Sequence, residues 1–287
     1  MNKKKLLSLV LILSFFMISF ITKEKGKPDE SVFNIKTIDK SVAKITDSLY
    51  AGKYEVSNLL YHIFEFDIIK NKKTELLKIA LPDTLNWRDK YEYNEPYVEL
   101  YFRHPAYQNY PLVNISYEAA TMFCEWLTEK YNASLKRVFK KVLFRLPTEK
   151  EWETAAKGGN NISFYPWGDR LIQNDHIMCN CRFVGDESIK RDSLTGKLII
   201  DPSGRAGLAG NLNDAADVTA PVDSYYPNTF GLYNVCGNVA EMVKEKGISR
   251  GGGWRSPGGD VKIKSRNHYE KSACDLGFRY FMEIIEK

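Results

Sequence analysis

Apolar residues recur at the spacing of an α-helix in two segments of the first half of the chain. Ser57 is followed by Leu60, Phe64 and Ile68, which would lie on one face of a helix. A serine directly before such a segment accepts a backbone N–H bond and caps the helix, so we predict a helix that begins after Ser57. The same pattern predicts a second helix after Ser116, with an apolar face that consists of Ala119, Ala120, Phe123 and Leu127.

A third helix is predicted from a capping box. Thr148 and Glu151 have the spacing at which each side chain bonds the free backbone N–H of the other residue. The helix that follows carries Trp152 and ends at Gly158-Gly159, because glycine readily adopts the left-handed conformation that terminates helices.

Strands are predicted at residues 48–51, 198–200 and 276–281, where short runs of apolar and aromatic residues stand between turn-forming segments. The stretch from 182 to 213 is otherwise polar and dotted with glycine. Helices early in the chain, followed by short strands and much irregular chain, predict a mixed α+β domain.

Composition excludes some classes of protein. Of the 287 residues, 44% are hydrophobic and 13% aromatic, which suffices for a packed core and excludes wholesale disorder. The net charge is +5, and lysines at the N-terminus account for part of it. Basic residues do not alternate with aromatic residues along any face, so we predict no binding to nucleic acid.

The N-terminus has the pattern of an export signal. Three lysines, Lys3 to Lys5, precede an apolar stretch from Leu6 to Ile21. The stretch is slightly short for a membrane span, and no small-residue cleavage site is evident, so a cleaved signal and an uncleaved membrane anchor both stay open. We therefore predict a signal or anchor at residues 1–22, a polar linker at 23–45 and one domain at 46–287. The protein would be periplasmic, envelope-associated or secreted.

Five cysteines occur at positions whose spacing does not define a metal site. They are Cys124, Cys179, Cys181, Cys236 and Cys274, and an odd number cannot all pair within one chain. The C-x-C pair has no second pair to complete a zinc site, and the four histidines lack the spacing of helical metal ligands. A G-x-S-x-G match at residues 247–251 is rejected as a serine hydrolase motif, because the glycines that follow oppose the helix this motif requires.

Residues 230–242 form the segment with the clearest potential for chemistry. Two glycines interrupt regular structure there, and Asn234, Asn238 and Glu241 supply oxygen atoms in a tight, partly apolar loop. Such a loop can bind a hard cation such as Ca²⁺. It can equally be a surface turn in which the asparagine side chains bond their own backbone. The residues alone leave both interpretations open.

A series of short motifs in a fixed order is more specific than any one of them. In chain order they are residues 54–58, 111–116, 144–153, 165–168, 220–223, 231–234, 237–241, 250–254 and 277–279. Together they resemble the formylglycine-generating enzyme (sulfatase-modifying factor) family, from about residue 49 to the end of the chain. The resemblance implies one compact α+β domain with a C-type-lectin-like core, low in regular secondary structure and usually stabilised by Ca²⁺.

The resemblance also implies two sets of calcium ligands, some of them backbone carbonyls, for which side-chain identity matters little. The set in the loop at 230–242 comprises Asn234, Gly237, Val239 and Glu241. The other set comprises Asn180, Cys181, Asp214 and Ala216, with residues 182–213 between its halves.

The catalytic residues of the family do not carry over. Active members have a serine after Gly-Gly and then two cysteines, which bind copper and use O₂ to oxidise a substrate cysteine to formylglycine. The corresponding positions here are Gly253, Ser256 and Val261, and Ala240 replaces an aromatic residue of the family. Soft Cu(I) prefers thiolate ligands, so we expect neither catalytic residues nor copper at this position.

The resemblance therefore favours an exported, non-oxidase module of the cell envelope that binds or assembles with a partner protein or peptide. Membrane attachment would occur through the N-terminal segment. The alternative is an enzyme, either an oxidase with relocated ligands or one that catalyses another reaction in the same cleft. Its thiol candidates would be Cys179, Cys181, Cys236 and Cys274.

Overall fold

A computed structural model describes residues 34–89, 93–159, 163–173, 176–182, 189–191, 195, 198–200, 216 and 218–287. The predicted signal or anchor at 1–22, residues 23–33 of the predicted linker at 23–45, and the candidate ligand Asp214 lie outside these residues. None of the described helices is both long and apolar enough to cross a membrane.

The three helices expected from sequence are confirmed. Ser57 accepts a bond from the backbone N of Leu60 at 3.3 Å, and Ser116 accepts one from that of Ala119 at 3.1 Å. The described helices are α1 Ile35–Ser41, α2 Asn58–Lys70, α3 Thr74–Ala80, α4 Glu95–Leu100, α5 Tyr117–Ala133 and α6 Glu149–Lys157, with 3₁₀ turns at Thr84–Trp87 and Pro105–Tyr107.

The capping box of α6 is formed as predicted. The backbone N of Thr148 donates to Glu151 Oε2 at 2.8 Å, and the backbone N of Glu151 donates to Thr148 Oγ1 at 3.2 Å. Gly158 ends the helix with φ of 58°.

The described strands form two four-stranded sheets and two short hairpins. They are β1 Val42–Lys44, β2 Leu49–Gly52, β3 Lys141–Arg145, β4 Ile172–Gln173, β5 His176–Ile177, β6 Ile189–Arg191, β7 Leu198–Ile200, β8 Ala240–Met242, β9 Ile248–Arg250, β10 Arg266–His268, β11 Leu276–Gly277 and β12 Phe281–Glu286. The first sheet has the antiparallel order β1-β2-β12-β3, and the second has the order β10-β9-β8-β11. β4 pairs with β5, and β6 with β7. The predicted strands at 48–51 and 198–200 are thus present.

The prediction of one strand at 276–281 is wrong. β11 pairs with β8 in the second sheet, whereas β12 pairs with β2 and β3 in the first. Phe278, Arg279 and Tyr280 lie between them and are all buried. The chain therefore passes from one sheet to the other through the interior, which requires consecutive buried residues rather than alternation.

The folded domain begins earlier than the predicted boundary at residue 46. Ile35 and Ile38 of α1 are buried, and β1 pairs with β2 so that Val42 lies opposite Gly52. Residues 35–44 of the predicted linker are therefore part of the domain, because α1 buries apolar side chains and β1 is a strand of the first sheet.

The loop at 230–242 lies between two clusters of buried side chains. Leu232, Val235 and Cys236 belong to one cluster, together with Trp152. Val239 belongs to another, whose other members include Trp87, Tyr101 and Trp254. The loop is thus part of the core, and the interpretation of it as a surface turn is wrong.

Candidate functional site

The loop at 230–242 follows a path that needs left-handed backbone conformations. Positive φ angles of 50° at Asn234, 79° at Gly237 and 62° at Asn238 bend it sharply. A Cβ added at Gly237 would lie 2.4 Å from the carbonyl oxygen of Asn180, so only glycine fits there. Asparagine tolerates the left-handed region better than most residues. These residues let the loop press against the segment that contains Asn180.

Glu55 lies at the centre of the polar groups that this loop encloses. Its Oε2 accepts from the side-chain amides of Asn234 and Asn238 at 3.1 and 2.8 Å, and its Oε1 accepts from the backbone N of Val239 at 3.2 Å. Burial raises the pKa of Glu55 to about 8, although Arg279 and the two amides act to lower it. Glu55 is therefore a buried carboxyl group of raised pKa at the centre of the hydrogen bonds of the site.

The sequence did not identify Glu55 as a functional residue. It stands in a motif that supports the family resemblance, between Tyr54 and Val56. No local signal separates a buried glutamate from an exposed one, since its partners lie 179 to 184 residues away. The one indication is a charged residue that stands two positions before the helix cap Ser57 and within a family motif.

Asn238 joins three segments of the chain. Its Oδ1 accepts from the backbone N of Ala220 at 2.7 Å and from Asn180 Nδ2 at 3.3 Å. Its backbone N donates to the carbonyl of Asn180 at 2.7 Å. Its Nδ2 donates to Glu55 Oε2 at 2.8 Å and to the carbonyl of Ala220 at 3.1 Å, so the donor and acceptor groups of this fully buried side chain are all bonded.

In the calcium set that contains Asn180, this residue bonds the segment that follows Ala216. Its Nδ2 donates to the carbonyl of Val218 at 2.7 Å, two residues after Ala216. The neighbouring ligand Cys181 is buried, while Asp214 lies outside the described residues. Whether Asn180, Cys181, Asp214 and Ala216 bind a cation stays a prediction.

In the other calcium set, Glu241 is bonded to nitrogen donors on both oxygens. Oε1 accepts from Arg279 Nε and Nη2 at 3.0 and 2.6 Å, and Oε2 accepts from Trp152 Nε1 at 2.7 Å and Arg279 Nε at 3.2 Å. A carboxylate has about four lone-pair positions, so this arrangement leaves none for a metal. Calcium binding by Glu241 would require it to release Arg279.

Around Asn234 the oxygen atoms are better arranged for a cation. Its Nδ2 donates to Glu55 Oε2 at 3.1 Å and to the carbonyls of Pro221 and Val222 at 3.3 and 3.2 Å. Carboxylate and carbonyl oxygens are the ligands that Ca²⁺ prefers. If the side-chain amide of Asn234 exchanged the positions of its nitrogen and oxygen, the oxygen would face these three acceptor oxygens. Such a cluster of oxygens is unfavourable unless a cation lies among them. Whether Asn234, Gly237, Val239 and Glu241 bind calcium stays a prediction.

The three positions that correspond to the family's catalytic residues have structural contacts. A Cβ at Gly253 would lie 2.7 Å from the carbonyl oxygen of Asp275, so a serine does not fit without movement. Ser256 Oγ accepts from the backbone N of Gly253 at 3.0 Å. Val261 is fully buried in the core. The backbone here is therefore packed as a structural turn.

All five cysteines lie in the interior. Each is at most 2% exposed, and none is in a disulfide. Burial raises the pKa of the Cys124 and Cys236 thiols, and a hydrogen bond with Cys181 raises that of Cys179. The thiolate form, which binds soft metals and attacks substrates, is thus disfavoured.

Residues 33–284 match the family described as "Sulfatase-modifying factor enzyme 1-like domain". Among curated relatives, the formylglycine-generating enzyme of Thermomonospora curvata is 33% identical over 137 residues, or 48% of this chain and 34% of the relative. That of Mus musculus is 27% identical over 197 residues, covering 60% of this chain and 44% of the relative. The "Inactive C-alpha-formylglycine-generating enzyme 2" of Mus musculus is 28% identical over 177 residues, covering 58% and 44%.

The chain thus spans less than half the length of each of these curated relatives. Two solved structures share its fold. CarF matches with a TM-score of 0.50 at 18% identity over 85% of this chain and 93% of that one. PvdO from Pseudomonas aeruginosa matches with a TM-score of 0.50 at 19% identity over 82% and 80%. These likenesses confirm the expected single α+β domain.

Proposed function

This chain belongs to the sulfatase-modifying factor enzyme 1-like domain family, and from that premise we propose that it is an exported binding or assembly module of the cell envelope that does not oxidise cysteine to formylglycine. One observation carries the proposal: all five thiols are buried. The family's catalytic positions hold Gly253, Ser256 and Val261 instead.

The chemistry explains why burial matters. Cu(I) in this family needs two thiolates that a substrate cysteine can reach. A thiol becomes a thiolate near a positive charge or water, and burial in apolar surroundings opposes this. The thiols of Cys124 and Cys236 have pKa values raised by burial. They therefore act as small apolar core residues.

A relative whose name describes it as inactive supports a non-oxidase role for this chain. It carries the name "Inactive C-alpha-formylglycine-generating enzyme 2". The scaffold is thus retained in a protein described as inactive, which supports a binding role for the scaffold in this chain. Its partner would be an envelope protein or peptide.

The basic and apolar N-terminus supports export. Lys3 to Lys5 followed by Leu6 to Ile21 fits a secretory signal or an uncleaved anchor. Fractionation of the native host, with protease added to intact and permeabilised cells, tests this. A protein that resists protease in intact cells and fractionates with cytoplasmic markers would contradict export.

Calcium would have a structural role in this module. We propose it first for the set that contains Asn180, and the bond from Asn180 to the carbonyl of Val218, two residues after Ala216, supports this choice. The set that contains Glu241 is less favourable while Arg279 occupies that carboxylate. Bound Ca²⁺ would cross-link segments distant in sequence and thereby stabilise the folded state.

The oxidase function is tested directly with Cu(I) and a Cys-x-Pro-x-Arg peptide. We expect no aldehyde formation and less than one Cu(I) bound per chain in competition with a Cu(I) chelator. The double variant Ser256→Cys/Val261→Cys is the matched control, since it restores a thiol at both family positions. Stoichiometric copper together with aldehyde formation by the unaltered protein would overturn the proposal and favour the relocated-ligand enzyme.

A further inference from the structure

The loop between α5 and β3 exposes apolar side chains. Leu135 is 96% exposed and Val138 is 69% exposed. Single exposed apolar residues are common on soluble proteins, but these two stand three residues apart on one short loop. Nearly complete exposure of a leucine costs free energy that binding to an apolar phase would recover.

The same loop is strongly basic. Lys136, Arg137, Lys140 and Lys141 lie within six residues, and residues 134–143 contain no carboxylate. The lysines at 136, 140 and 141 are exposed. The loop therefore combines exposed aliphatic side chains with four positive charges.

Hydrogen bonds hold the loop in one shape. The Tyr131 hydroxyl accepts from the backbone N of Val138 and of Phe139 at 3.3 and 3.4 Å while it donates to Asp39 Oδ1 at 2.5 Å. Arg137 bonds the carbonyls of Ser134 and Lys140. The backbone of the loop is thus held in place by hydrogen bonds while Leu135 and Val138 remain exposed.

Protection of a sheet edge explains part of this pattern. β3 is the last strand of its sheet, and lysines next to an edge strand oppose edge-to-edge aggregation. That role accounts for Lys140 and Lys141. It does not account for Leu135 and Val138, because exposed aliphatic residues beside an edge promote aggregation.

We propose that this loop docks on the surface of a membrane that contains anionic phospholipid. Leu135 and Val138 would enter the boundary between headgroups and acyl chains, and the four basic side chains would contact lipid phosphates. The loop projects two separate aliphatic side chains among basic residues, which fits an anionic fluid surface better than a folded partner. This surface is distinct from the N-terminal segment and does not depend on the absence of oxidase activity.

Lysine footprinting of the full chain tests the proposal. The protein is acetylated with and without vesicles of phosphatidylcholine alone or with phosphatidylglycerol, and modification of each lysine is measured by mass spectrometry. We expect labelling of Lys136 and Lys140 to fall at least about threefold with anionic vesicles and to recover in high salt. Lys264 and Lys271 serve as references.

Two variants make the readout specific. Leu135→Ser/Val138→Ser should abolish the protection without lowering the melting temperature, since both side chains are exposed. Phe164→Ser is the matched control: Phe164 is 54% exposed and lies under Lys262, 4.6 Å from the ring centroid, so it is another apolar residue beside a lysine. It should leave the protection unchanged. Equal protection of reference and loop lysines, or none with anionic vesicles, would overturn the proposal.

Discussion

Arg279 and Glu241 form an ion pair in which each side chain is only 1% exposed. Arg279 donates to Glu241 Oε1 from Nε and Nη2 at 3.0 and 2.6 Å. It also donates to the carbonyls of Gly52 and Tyr233 at 2.9 and 2.6 Å. One guanidinium thus links the first sheet, the second sheet and the loop at 230–242.

Replacement of Arg279 by methionine should therefore be strongly destabilising. The variant leaves the buried carboxylate of Glu241 without its positive partner, which typically costs about 3–5 kcal/mol. Urea denaturation measures the free energy of unfolding. Lys44→Met, which removes an exposed pair with Asp47, should leave the urea midpoint unchanged. Equal midpoints for Arg279→Met and the unaltered protein would refute this role.

Glu55 should make stability depend on pH. Its pKa is raised from 4.5 to about 8 in the folded protein, mainly by burial. The folded state therefore binds this proton more tightly than the unfolded state, so the contribution is complete below about pH 4.5 and is lost as pH rises toward 8. We expect the free energy of unfolding to fall across that window.

The variant Glu55→Gln isolates this effect. It cannot titrate, so its stability should fall less steeply with pH, whatever its absolute stability. All other ionisable groups are common to both proteins, so the difference between the two curves isolates the contribution of Glu55. Parallel curves would show that Glu55 does not titrate in this range.

The features that the sequence predicted well are those with local causes. Ser57, Ser116 and Thr148 cap helices through bonds to residues three positions away, so their patterns are visible in a short window. The break within residues 276–281 has distant causes, because β11 and β12 pair with different sheets and Arg279 between them bonds Glu241, 38 residues away. Such partners leave no trace in local periodicity.

In the candidate site, too, residues with a local sequence signal were predicted and those that depend on distant partners were not. Asn234, Asn238 and Glu241 were identified because oxygen-bearing residues in a glycine-broken loop are unusual. Their burial was not predicted, and neither was the role of Glu55, 183 residues from Asn238. The sequence alone can suggest which loop is important. It does not show which distant residue bonds or neutralises each side chain of the loop, because that depends on the fold.

Calcium removal should lower the melting temperature. A ligand that binds only the folded state at 100 times its dissociation constant adds about 2.7 kcal/mol, which is a shift of about 5–10 °C for a domain of this size. Calorimetry with Ca²⁺, with Mg²⁺ and with excess chelator measures it, and Mg²⁺ is the control for ionic strength. The shift should be lost in Asn180→Ala. An unchanged melting curve in chelator would count against both ligand sets.

The thiols should be inert in the folded protein. Each cysteine is at most 2% exposed, and burial raises the pKa of Cys124 and Cys236. An aromatic disulfide reagent that releases a coloured thiolate should detect no thiol before unfolding and all five afterwards. Rapid reaction of one thiol in the native state would identify an accessible cysteine and reopen the enzyme alternative.

Restoring the family's serine should be unfavourable in this chain. In Gly253→Ser the new Cβ would lie 2.7 Å from the carbonyl oxygen of Asp275 and 3.1 Å from its Cβ, and backbone cannot yield as a flexible side chain does. Forcing extra atoms into a packed site typically costs about 1–3 kcal/mol. Gly259→Ser is the matched control, because no atom lies within 4 Å of a Cβ there. If thermal unfolding shows the two variants equally stable, the close approach of Asp275 does not explain the glycine. A selective loss of stability in Gly253→Ser would show that the carbonyl of Asp275 leaves no room for a side chain at this position.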